Sequence, residues 1–212
     1  MRKLGLVVAL AAGTLLAGSC ATLNEDQCLT GDWKGIGYAD GSNGHTPARF
    51  ADHIKACAKY QVTPDQSLYL AGREKGLPVY CTLERGFDVG RQGQTYAGVC
   101  PASLERPFLS GYDDGRIVWD VQQRLNRAAS DLSDAERRAD EAETRIIEEE
   151  RRLAVTGLAD AEKSRIRERL NRLRDDRRDA EQDASDASYS RDESERELND
   201  LRYRFKPTYG GW

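Results

Sequence analysis

Residues 125–173 read LNRAASDLSDAERRADEAETRIIEEERRLAVTGLADAEKSRIRERLNRL, and two helical seams meet within this stretch. On its N-terminal side Val118, Val121, Leu125, Ala128, Leu132, Ala135, Ala139, Ala142, Ile146, Glu149 and Leu153 step by alternating three and four residues. That spacing keeps side chains on one stripe of an α-helix. On its C-terminal side the same rule picks out Ile166, Leu170, Leu173, Arg177, Ala180, Ala184, Ala187, Arg191, Ser194, Leu198, Leu201 and Phe205. Thr156-Gly157-Leu158 separates the two, with Gly157 free to take the left-handed conformation that ends a helix and Asp160 placed to charge or cap the next start. Reversal of the chain there sets Ala135 opposite Ala180 and Ala128 opposite Ala187. Small residues facing small residues favour an antiparallel helical hairpin, a coiled coil of close approach, over one continuous helix in a parallel dimer. Arms of roughly 40 residues reach about 60 Å.

From Arg124 to Arg204 there are 19 basic and 23 acidic residues, a single Gly and neither Pro nor Cys. Such composition can mean disorder, but disorder carries no seam. An Ala-rich seam buries little area, so the arms are only modestly stable alone. Pairs such as Glu141 with Arg145 and Asp175 with Arg178 add about 0.2–0.5 kcal/mol each. The charges otherwise read as a solvated face. A partner helix would enter the seam where Glu149 and Arg177 interrupt it. Lys206-Pro207 is expected to break the second helix and leave 206–212 as a flexible tail whose aromatics fold back on the head or meet a partner.

Outside the arms, the whole chain of 212 residues is 32% charged with a mean hydropathy of −0.72 and a net charge of −4. A polytopic membrane protein is excluded, and there is no basic field for a nucleic-acid partner. The first residues are the exception. Met1-Arg2-Lys3 and the apolar run Leu4 to Leu16 have the charged and hydrophobic regions of an export signal, too short to span a bilayer comfortably. Leu16-Ala17-Gly18-Ser19-Cys20 resembles a bacterial lipobox, which implies removal of 1–19 and acylation of Cys20. Several acyl chains hold a protein stably on a membrane where one does not. Ala21, rather than Asp, follows the Cys. By resemblance to Gram-negative lipoproteins this implies the periplasmic face of the outer membrane.

With Cys20 set aside, Cys28, Cys57, Cys81 and Cys100 form an even set in an oxidising compartment, so two disulfides are expected. Three connectivities are possible, and nearest-neighbour pairing is the favoured one. His53 and Cys57 sit four residues apart, but no CxxC pair accompanies them and a bridged Cys cannot attack a substrate, so neither metal nor a Cys nucleophile is expected. No cofactor is implied.

After a short lipidated linker, 20–27, residues 28–116 read as a Gly-rich head. Gly37-Tyr38-Ala39-Asp40-Gly41, Gly72-Arg73-Glu74-Lys75-Gly76, Gly90-Arg91-Gln92-Gly93 and Gly111-Tyr112-Asp113-Asp114-Gly115 recur through it. Glycines four apart on a helix let another backbone approach, and in loops they supply positive φ. None is a phosphate loop. Thr46-Pro47 can open a helix carrying Phe50, Ile54 and Cys57, and Thr63-Pro64-Asp65 one carrying Leu68 and Tyr69 with Gly72 close behind. Thr82 to Gly90 and Pro107 to Gly111 are further short candidates. Strand alternation hardly occurs. The expected fold class is therefore mainly α: a small disulfide-bonded head of short helices and turns, then a long antiparallel hairpin over 117–205 that turns near 156–159 and projects from the head.

Cys28, Gly31-Asp32-Trp33, Gly37-Tyr38, Asp40-Gly41, Arg49, His53, Cys57, Pro64-Asp65, Tyr69, Gly72-Arg73, Gly76-Leu77, Tyr80-Cys81, Gly90-Arg91, Gly93, Tyr96, Gly98-Val99-Cys100-Pro101, Phe108, Gly111-Tyr112 and Gly115 together resemble the motif string of an uncharacterised Gram-negative lipoprotein family, a domain of unknown function. The resemblance covers somewhat under half the chain. It implies an envelope location and a non-coiled head, and it brings no activity, ligand or catalytic residue.

Candidate ligand-binding residues in the head are Asp32, Trp33, Tyr38, Asp40, Arg49, His53, Arg73 and Arg91, because aromatics beside Arg and Asp suit a glycan or peptide. The competing reading has Trp33 and Tyr38 filling a sparse core while Arg and Asp pair on its surface. The functional expectation is a non-enzymatic interaction or scaffolding role, with a membrane contact through Cys20 and an envelope protein held by the coiled coil. An alternative is binding of peptidoglycan or another envelope ligand through the head. A cell-wall hydrolase comes third and requires His53 and a carboxylate to share a deep cleft.

Overall fold

The computed structural model describes residues 22–212; the expected export signal at 1–19, Cys20 and Ala21 lie outside the described residues. Among the described residues there are seven helices and no strand: α1 (Glu25–Thr30), α2 (Trp33–Ser42), α3 (Arg49–Ala58), α4 (Gln66–Tyr80), α5 (Leu83–Arg91), α6 (Ala102–Leu153) and α7 (Asp160–Tyr209). None of them is long and apolar enough to cross a membrane. The chain divides into two compact units between Gly76 and Leu77, inside α4.

In the first unit α1 is only six residues because both of its ends are written locally. Asn24 and Gln27 form a reciprocal capping box, and Gly31 at φ 66° stops the helix. Asp32 then caps α2 by accepting from the Gly35 amide at 2.9 Å. Helices α2 and α4 cross on glycine. A Cβ at Gly37 or Gly41 would run into the Tyr69 or Arg73 carbonyl, and one at Gly72 or Gly76 into the carbonyl of Lys34 or Tyr38. Backbone therefore lies directly on backbone. The Cys28–Cys57 disulfide, Cα to Cα 5.5 Å, ties α1 to α3 beside a core of Leu23, Trp33, Phe50, Ala56 and Tyr69. Helix α3 buries Phe50, His53, Ala56 and Cys57. The expected Ile54 is instead 42% exposed, because the buried stripe turns through His53.

The second unit repeats the glycine crossing. On α5 Gly86 and Gly90 abut the carbonyls of Phe108 and Tyr112, and on α6 Gly111 and Gly115 abut those of Leu83 and Phe87. Gly93, by contrast, serves a turn at φ 71°. Cys81–Cys100 closes this unit, so both bridges join nearest neighbours.

Three expectations need correction here. Helix α4 passes through Gly72 and Gly76 to Tyr80 rather than stopping near Gly72, since those glycines serve the crossing. Pro107 to Gly111 is no short helix but the early part of α6, which starts at Ala102 and runs 52 residues, so the expected head–hairpin boundary at 116/117 lies inside one helix. Pro207 does not break α7, which continues to Tyr209. Tyr209 stacks on Phe87 with centroids 4.0 Å apart and donates its hydroxyl to Asp114 at 2.6 Å, and Trp212 lies 5.4 Å from Phe87. Aromatic packing holds the last turn that proline alone would open.

Helices α6 and α7 pack on one another as a hairpin. Arg124 pairs with Glu197, Arg138 with Asp183 at 2.8 Å, Glu143 with Arg177 at 2.6 Å and Glu149 with Arg169 at 3.1 Å, so partner numbers fall along α7 as they rise along α6. Between these pairs Ala142 comes level with Ala180, Ala135 with Ala187 and Ala128 with Ser194. The expected Ala135–Ala180 and Ala128–Ala187 opposition is thus one heptad out. The loop is asymmetric: Leu158 joins Leu153 and Leu173 on the apolar cap of Ile146, Ile166 and Leu170, so the cap sets the register rather than the loop midpoint. Glu149 and Arg177 are paired within the hairpin, and Glu141 pairs with Arg137 instead of Arg145.

Candidate functional site

The polar centre of the first unit is Asp40, which α2 holds 8% exposed. Helix α3 brings Arg49 and His53, four residues apart on one face, and α4 brings Tyr69. The Tyr69 hydroxyl donates to Asp40 Oδ2 at 2.7 Å, His53 Nε2 lies 2.8 Å from the same oxygen, and Arg49 Nε stands 3.3 Å from Oδ1. Burial by itself would raise the Asp40 pKa. Hydrogen bonds from His53 and Tyr69, with the charges of His53 and Arg49, outweigh it and hold the carboxyl below its ordinary value. Burial and then the Asp40 bond push the Tyr69 hydroxyl far above the usual phenol range, so it stays a donor.

The far side of His53 completes the chain. His53 is 1% exposed, and its Nδ1 lies 2.8 Å from Thr22 Oγ1. An ionised Asp40 can only accept, so His53 Nε2 carries the proton toward it. In the neutral tautomer Nδ1 is then an acceptor to which the Thr22 hydroxyl can donate. Burial, then Arg49, pushes His45 below its ordinary value. Its backbone is fixed from both ends: His45 N donates to the Asp40 carbonyl at 2.9 Å, and the buried Arg73 donates from Nε to the His45 carbonyl at 2.8 Å.

Thr22, Asp40 and His53 line one open cleft of about 450 Å³ together with Leu23, Asp26, Gln27, Thr30, Asp32, Gly35, Ile36 and Ala39. That lining combines apolar side chains, three carboxylates, His53 and the neutral polar Thr22, Gln27 and Thr30, with no Lys or Arg. His53 and a carboxylate thus share a cleft, though an open one rather than the deep one expected for a hydrolase. Of the eight candidate residues, the structure brings Asp40, Arg49 and His53 into contact, joins Arg73 through His45, and puts Asp32 on the cleft wall. Trp33 is core, Tyr38 is 46% exposed, and Arg91 belongs to the second unit, where it pairs with Asp88 at 2.8 Å. Sequence reasoning missed Thr22 and the hydroxyl of Tyr69. The signal for Tyr69 was its place on the buried face of α4; Thr22 gave none, being a linker residue whose partner is 31 positions away.

Over the described residues the fold and site define a helical, disulfide-bonded protein whose first unit carries a carboxylate–imidazole–hydroxyl chain running from buried Asp40 and His53 to half-buried Thr22. Residues 32–117 match a family described as "Protein of unknown function (DUF2799)", a span that holds both glycine crossings but neither Thr22 nor α7. No curated protein and no solved structure matches the chain.

Proposed function

We propose that this protein is an exported lipoprotein, anchored through acyl chains on Cys20 at the periplasmic face of the outer membrane, in which α6 and α7 form an antiparallel coiled coil that holds an envelope protein. The arms act by binding rather than by chemistry. The observation that carries this reading is the groove of about 870 Å³ along the hairpin, floored by Ala128, Ala187, Ser190 and Ser194 and rimmed by charges such as Asp131 and Glu193. Small side chains leave room there for a third helix, and the charged rim selects which helix. In-cell photocrosslinking from Asp131 and Glu193 on the hairpin, and from Asp26 and Thr30 at the Asp40 cleft, tests it. One dominant envelope protein, lost when Ser190 is replaced by Trp, is the expected result; crosslinks confined to positions around the Asp40 cleft would sink it. Conversion of Cys20 to Ala should release the protein from the membrane fraction, and globomycin should block its maturation.

The cleft beside Asp40 favours a second reading, a head that binds peptidoglycan or another envelope ligand. Retention on purified sacculi that is lost with Asp26→Lys at the cleft wall, and kept with Ser190→Trp, would select it.

A further inference from the structure

The Thr22–His53–Asp40 chain has an order that a structural clasp does not require: a hydroxyl aimed at an imidazole nitrogen whose opposite nitrogen is held by a carboxylate. A nucleophile within hydrogen-bond reach of a base, with a third group orienting the base, is the arrangement that activates an otherwise inert hydroxyl. The bonds are 2.8 Å on each side of the ring. His53 is buried, so its orientation is fixed. Thr22 is half-buried and faces the cleft, so a substrate can reach its oxygen.

We propose that the first unit hydrolyses small carboxylic esters, with Thr22 as nucleophile, His53 as general base and Asp40 as the residue that positions His53. Thr22 Oγ1 bonds to the acyl carbon while its proton passes to His53 Nδ1. The bond from that carbon to the alcohol oxygen breaks, and the departing alcohol takes the proton from His53. Water then adds to the acyl-Thr22 ester, giving a proton to His53, which returns it to Thr22 Oγ1 as the carboxylic acid leaves. Nothing but water is consumed. The acidic side chains Asp26 and Asp32 on the cleft wall, with no Lys or Arg among its lining residues, disfavour anionic substrates, while Arg49 offsets the charge of Asp40. Leu23, Ile36 and Ala39 accommodate a short apolar acyl chain. The substrate class is therefore a neutral or amine-bearing ester of small acyl group. This inference is independent of the scaffolding reading and runs against the expectation that the protein is not an enzyme.

The test uses the exported full-length protein in detergent, with p-nitrophenyl acetate and butyrate. Hydrolysis by the native chain is expected to exceed that of Thr22→Ala by about 10²–10⁴-fold, the usual range for general-base catalysis, and Thr22→Ser should retain it. His53→Gln should lose it. Asp40→Asn should lower kcat per mole of folded protein, the folded fraction being read by circular dichroism, and should shift the pH profile of kcat, neither of which follows from a loss of folded protein alone. Acid-quenched peptide mass spectrometry should find the acetyl group on Thr22. Asp65→Ala, which removes the carboxylate that caps α4 by accepting from the Ser67 and Leu68 amides and lies outside the cleft, should weaken folding and keep activity. Native hydrolysis no faster than that of Thr22→Ala, or acetyl groups on Cys20 or lysines only, would overturn the proposal. So would activity that falls with Asp65→Ala as far as with Thr22→Ala.

Discussion

Asp40 is a carboxylate taken out of water and kept charged by the groups around it. Its pKa lies lower in the folded chain than in the unfolded one, where a free Asp titrates at about 3.9. Stability from this source is therefore fully present above that value and is lost as pH falls through the lower, folded pKa. Urea unfolding of the native protein is expected to show a midpoint that drops as the solution is acidified below about pH 4, whereas Asp40→Asn should have a lower midpoint at neutral pH and a shallower acid step, the remainder coming from carboxylates such as Asp65, also held below its ordinary value by hydrogen bonds from the Leu68 amide and Ser67. Equal slopes for the two proteins would show that His53, Tyr69 and Arg49 do not hold the charge.

Among the elements, the crossings of α2 on α4 and of α5 on α6 rest on absent side chains. Replacing Gly111 by Ala would normally favour a helix by about 1 kcal/mol. Here the added Cβ meets the Leu83 carbonyl, which belongs to another helix backbone and cannot swing away. Gly111→Ala is expected to lower stability by about 1–3 kcal/mol, read as a fall in the thermal midpoint. The C-terminal turn of α7 depends on aromatic contacts in the same way. Phe205 is 8% exposed and packs with Phe87, Val118, Val121, Leu198 and Leu201, so Phe205→Ala should cost about 3 kcal/mol in a denaturant titration. Hydrogen exchange should also show Lys206 to Tyr209 losing protection in that variant. The register of the arms has its own check. Spin labels at Arg138 and Asp183, which touch across the hairpin, should report about 1–2 nm, close to the spacing of packed helices. Labels on one continuous helix would lie about 7 nm apart.

At the scale of the whole molecule, two compact units each depend on one disulfide, with sequence separations of 29 and 19. Loops of those lengths give bridges that stabilise by about 2–4 kcal/mol each in the chain-entropy description. Reduction should therefore lower the unfolding midpoint measurably, and alanine at Cys28 and Cys57 together should reproduce only the first unit's share. Much of the architecture was legible beforehand. Every residue of the second seam from Ile166 to Phe205 is buried or half-buried, including the interrupting Arg177 and Arg191, and the pairing of nearest cysteines is as expected. The head was less legible. Gly86 escaped notice because Phe87 and Val89 replace the polar neighbours of the other glycine quartets, and Pro107 and Pro207 were read as punctuation where tertiary contacts carry the helix past them.

The boundary between the two kinds of knowledge follows from range. Helical periodicity, capping at Asn24, Asp32 and Thr82, and the even cysteine count are written in residues a few positions apart, so the amino-acid order alone determined that this protein is helical, bridged and armed. The heptad register of the hairpin, the extension of α6 back to Ala102 and the union of Thr22, Asp40, His53 and Tyr69 join residues tens of positions apart. Only the tertiary structure could decide those, because they depend on which backbones come close enough to touch.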